Sequence, residues 1–129
     1  MMSEQSRGTA RALEPTEGPL LALDLGDQVE QLRHEPYWQS GRNSKTVVHY
    51  SDLRVVVTAI QAKTSIQEHK SAGRIMIQTI QGHLLAQSAG KRFDLQTGGV
   101  LVLDRDTPYE LTAVEDSAFV MVVAWPCEE

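Results

Sequence analysis

From residue 45 to residue 125 the sequence is a succession of short β-branched and apolar stretches cut by turns, with no helical pattern long enough for a crossover between them. That texture constrains the fold more than any other feature. Stretches 46–50, Leu53–Ile60, 74–80, 83–87, 93–95, Val100–Leu103, 109–114 and 119–125 read as seven or eight strands. Parallel strands need a crossover, so the expected architecture is an antiparallel sandwich or barrel. Upstream, residues 24–34 predict a short helix, capped by Asp24 or Asp27, with Val29 and Leu32 as an i, i+3 apolar pair, and ended by Pro36. Pro19-Leu20-Leu21-Ala22-Leu23 is a candidate extra strand. Tyr37-Trp38 precedes a turn at 40–43 and is expected to pack in the core. Residues 1–18, with Gly8, Pro15 and Gly18, read as a loose arm.

Bulk properties narrow the functional classes. A chain of 129 residues, 41% apolar and 22% charged, suits one globular domain with a real core. Its net charge of −5 and its lack of a dense Lys/Arg cluster argue against nucleic acid and an anionic membrane as partners. No apolar run approaches the ~20 residues that span a bilayer. The polar start leads into no signal core, and Cys127 is the single cysteine, so a reducing, cytoplasmic setting is expected, with Cys127 a spectator thiol.

The segment Glu68-His69-Lys70-Ser71-Ala72-Gly73-Arg74-Ile75-Met76-Ile77-Gln78-Thr79-Ile80-Gln81-Gly82 carries a turn with one histidine, an alternating strand and a closing glycine. It resembles the first motif of the cupin family, in which His-x-His is followed by a Glu and then a Gly. Anchored on Gly82, the Glu position falls on Ile75 and His-x-His falls on His69-Lys70-Ser71. Asp104-Arg105-Asp106-Thr107-Pro108-Tyr109 resembles the turn that supplies the family's last histidine, with Tyr109 in its place, and the preceding Gly98–Leu103 run is similar as well. The resemblance covers roughly residues 45–125 and implies an all-β fold: an antiparallel double-stranded β-helix, or jelly-roll barrel, of the small single-domain type with degenerate metal motifs. The barrel domain is then residues 19–129, with a core at 45–125, a short N-terminal helix and the arm 1–18. The family habit, with the half-apolar outward face of strand 74–80, implies a homodimer.

A cupin metal site uses imidazoles and a carboxylate directed into the barrel, donors that suit first-row divalent metals. Ser71 is a poor ligand, Ile75 donates nothing, and Tyr109 has an ordinary pKa near 10. No metal or other cofactor is therefore expected, although His49 or His83 offers a route to a displaced site. Alternation on strand 74–80 places Ile75, Ile77 and Thr79 inward, and Arg74, Met76, Gln78 and Ile80 outward, where Met76 and Ile80 suit an interface. The inward set His69, Ser71, Ile75, Ile77, Thr79, Tyr109 and Leu111 describes either a small-molecule pocket or a filled barrel. Three functions stay open. One is a non-catalytic module for a small organic ligand. A second is an enzyme, either a metal-free isomerase or epimerase with His69 as base and Tyr109 as acid, or one with a relocated metal. The third is a structural or partner-binding protein. No grip of clustered arginines for a sugar phosphate is legible in the sequence.

Overall fold

The computed structural model describes residues 19–68 and 71–126. The arm 1–18 and Cys127 lie outside the described residues. Helix α1 (Leu25–Arg33) begins where expected: Asp24 caps it by accepting from the Asp27 amide at 3.0 Å. Pro36 starts a 3₁₀ segment, Pro36–Ser40, which Gly41 ends in the left-handed region. Residues 19–23 add no strand. Leu20, Leu21 and Leu23 are exposed, so the candidate strand there is corrected to irregular chain.

Nine strands follow among the described residues: β1 (Arg42–His49), β2 (Leu53–Ile60), β3 (Ser65–Glu68), β4 (Arg74–Gln81), β5 (His83–Ser88), β6 (Lys91–Gln96), β7 (Val100–Leu103), β8 (Tyr109–Ala113) and β9 (Ser117–Ala124). Sequence reading missed β3, which is short and mostly exposed, and began β1 too late by taking 40–43 as a turn. The strands form two antiparallel sheets, ordered β1-β2-β9-β4-β7 and β3-β8-β5-β6. Consecutive β4 and β5 fall in different sheets, and Gly82 turns the corner between them at φ 88°. A Cβ there would collide with the Ser117 hydroxyl and lie 2.7 Å from the Asp116 carbonyl oxygen, so the closing glycine of the motif answers a packing demand.

The core lies between the sheets, built from Ile60, Ile75, Ile77, Leu84, Leu95, Leu103, Tyr109, Leu111 and Phe119 with their small neighbours. On β4 the expected alternation holds: Ile75, Ile77 and Thr79 are buried. The Thr79 hydroxyl donates to the Leu95 carbonyl at 2.9 Å, which satisfies a polar group inside the sandwich and ties one sheet to the other. A second core lies outside the five-stranded sheet. There Val29 and Leu32 of α1 pack on Val47, Val57, Ala59, Ala118 and Val120, with Trp38 and Ile80 at the margin. Ile80 thus meets the chain's own helix, which corrects its expected place at an interface. Arg33 fastens the helix down. Its guanidinium donates to Gln81 Oε1 at 2.9 Å and the Ser117 carbonyl at 3.3 Å, and sits 5.5 Å from the Trp38 ring centroid. No helix among the described residues is long and apolar enough to cross a membrane.

Candidate functional site

Between the sheets a cavity of about 290 Å³ remains unfilled. Its apolar wall comes from Val56 on β2, Ile66 on β3, Ile75 on β4, Leu111 on β8, and Phe119, Met121 and Val123 on β9. Its polar groups are Arg42 and Ser44 on β1, Arg54 and Thr58 on β2, Glu68 on β3, Ser71 in the β3–β4 connection, and Tyr109 on β8. Trp125 completes the rim. Arg54 and Trp125 also line an outer hollow with His49, Tyr50 and Arg105, so they form the partition between cavity and surface.

Of the residues expected to face inward, Ser71, Ile75, Tyr109 and Leu111 line this cavity. Ile77 and Thr79 are buried on the same face of β4 but pack in the solid part of the core, away from the cavity wall. His69 lies outside the described residues. Sequence reading did not anticipate the arginines, the Ser44–Thr58 pair or Glu68. The alternation Arg54, Val56, Thr58 along β2 held a signal for part of this set, but the intervening Val55, Val57 and Ala59 are equally apolar and gave no basis for choosing the inward face.

Local bonding decides what the polar groups can do. The Ser71 hydroxyl is engaged by its own turn, donating to the Gly73 carbonyl and accepting from the Gly73 amide, both at 3.2 Å. Ser44 Oγ and Thr58 Oγ1 pair at 2.8 Å, each buried. Tyr109 is 6% exposed, and its hydroxyl points at Met121 Sδ, 3.9 Å away. Burial, assisted by the nearby Glu68 carboxylate and opposed by Arg42, pushes the phenol up to about 12. It is therefore a hydrogen-bond donor at neutral pH and a weak proton acid, which argues against the acid role considered for it. The turn before β8 is pinned separately. Asp104 accepts from the Arg105 amide at 2.8 Å and from Arg74 Nε at 2.9 Å, and these bonds hold its carboxyl below the usual range.

The whole backbone, two antiparallel sheets closed around an interior with strand order β1-β2-β9-β4-β7 facing β3-β8-β5-β6, can be set against known structures. A conserved protein of unknown function from Streptococcus pyogenes superposes with a TM-score of 0.71 at 23% identity, covering 92% of this chain and 100% of that one. A cupin superfamily protein from Desulfitobacterium hafniense gives 0.68 at 12% identity over 91% and 100% of the two chains. An RmlC-like cupin from Shewanella frigidimarina gives 0.62 at 10% identity over 68% and 79%. The chain has the cupin fold. No protein-family model matches the sequence, and no curated protein matches it. At these identities the likeness speaks for the fold alone and leaves the chemistry to this chain's own residues.

The cupin fold implies a divalent metal held by imidazoles and a carboxylate, and the described residues do not fit one. Ile75, which the motif resemblance puts at the carboxylate position, is 4% exposed, lines the cavity and has no donor atom to offer a cation. Ser71 is bound in its turn, and Tyr109 keeps its proton to about pH 12. Among the described residues no group of three His, Cys, Asp or Glu side chains converges. The two histidines considered for a displaced site do not join the cavity. His83 Nε2 is 2.9 Å from Asp94 on the outer side of β5 and β6, and His49 lines the outer hollow.

Proposed function

We propose that this cupin is a binding module that accepts a small organic molecule in its barrel cavity, without catalysis and without a divalent metal. The observation that carries this reading is the cavity itself: an apolar wall with a few polar groups, the usual character of a small-molecule site. Its 290 Å³ lies just below the ~300–1,000 Å³ common for ligand pockets, which favours one compact molecule. A thermal-shift screen of small carboxylates, phenols and sugars tests the reading. A ligand at about 100 times its Kd adds about 2.7 kcal/mol of stability, a plainly visible rise in Tm. A screen in which nothing raises Tm counts against the module, and stoichiometric metal in elemental analysis of the purified protein overturns its metal-free character.

The same reading takes the protein as a cytoplasmic homodimer with no nucleic-acid or membrane partner. Net charge and the lone cysteine support the setting. An apolar row supports the dimer. On the outer face of the five-stranded sheet Val122 stands opposite Met76, and Met76 opposite Val102, and Val102 is 67% exposed. A second copy laid across this row by a two-fold axis would meet the same row and cover both.

A further inference from the structure

Arg42 and Arg54 are both partly buried and both line the cavity, yet among the described residues neither forms an ion pair with a carboxylate. The Arg54 guanidinium is held 5.1 Å from the Trp125 ring centroid, which restrains its direction at the rim. Glu68 is the one carboxylate among the described lining residues, so two arginines and a single acid line the cavity of a chain whose net charge is −5. A partly desolvated cation beside apolar wall is costly until an anion balances it. Guanidinium groups match planar oxyanions in geometry as well as charge. The hydrocarbon wall and the small volume favour an oxyanion carried on an apolar body over a bare inorganic ion.

We propose that the cavity takes a small organic carboxylate whose charge is balanced by Arg42 and Arg54 and whose apolar body lies against Ile75, Leu111 and Phe119. This rests on the reading of the cavity as a binding site. The Tyr109 hydroxyl, protonated at neutral pH, adds a donor for the carboxylate or for a second oxygen on the ligand. The Ser44–Thr58 hydroxyl pair gives the site a polar point among its apolar groups.

The test uses the full chain and matched neutral pairs: benzoate against benzamide, phenylacetate against phenylacetamide, hexanoate against hexanamide, with inorganic phosphate as a further probe, read by calorimetry and thermal shift. The expected result is that at least one acid binds tenfold or more tighter than its amide, and that added salt narrows the gap. Arg42→Gln and Arg54→Gln should each weaken that acid by about tenfold and leave its amide unchanged. Amides binding as well as acids overturn the carboxylate assignment and leave the binding module standing. Inorganic phosphate outcompeting every acid also overturns it. No binding by any probe overturns the carboxylate assignment, while the binding module falls only if phenols and sugars fail as well. If the arginine variants fail to fold, the acid-to-amide ratio on the unaltered protein decides the matter alone.

Discussion

Tyr109 concentrates what a single side chain does in this barrel. Its phenol occupies the place where a cupin histidine is expected, and burial raises its pKa from 10.0 to about 12. Between those two values the unfolded chain releases the proton while the folded chain keeps it. Stability is therefore fully present below pH 10 and falls as pH rises toward about 12, by an amount on the order of 2 kcal/mol. Urea unfolding at stepped alkaline pH should show this decline in the native protein and a shallower one in Tyr109→Phe. Equal slopes would mean the phenol is not held in its buried, protonated state. Residue identity alone could place Tyr109 in the motif but not its environment. The environment depends on Glu68, Arg42 and Met121, which arrive from β3, β1 and β9.

At the scale of elements, α1 does more than precede the barrel. Leu32 is fully buried against the outer face of the five-stranded sheet, and Arg33 ties the last helical turn to Gln81 and Ser117. Leu32→Ala should cost about 2–5 kcal/mol in chemical denaturation, in the range for a leucine deleted from a packed core. A cost below about 1 kcal/mol would show that the helix is loosely seated. This second core explains why the face of β2 was hard to read. A strand with water on one side alternates cleanly with its polar residues outward, whereas on β2 the face under α1 is apolar (Val55, Val57, Ala59) and Arg54 and Thr58 point into the cavity, so the usual rule gives no guide to the inward face. On β4 the choice was legible, because Arg74 and Gln78 mark the outer face. The helix itself was readable from Asp24, Val29, Leu32 and Pro36, all local signals. Strand β3 was not, since its four residues carry no alternation strong enough to stand out from the turn beside it.

For the whole molecule, antiparallel architecture followed from strand spacing and the absence of a crossover helix, and the cupin type followed from two turns and a glycine in order. The cavity was legible only in part. Ser71, Ile75, Tyr109 and Leu111 come from the motif segments, but the charged groups come from β1, β2 and β3, and their convergence is a product of closure rather than of sequence neighbourhood. Assembly belongs to this scale too. If the Val122–Met76–Val102 row is shared by two copies, Val102→Glu should convert a dimer to a monomer by sedimentation velocity while leaving the fold intact. A native protein that sediments as a monomer at all concentrations would refute the dimer. The seating of α1 has a final implication. Because that helix roofs hydrocarbon which would otherwise face solvent, the boundary of the folding unit lies upstream of β1, and a protein trimmed to its strands would bare the plate formed by Val47, Val57 and Val120 and clump through it.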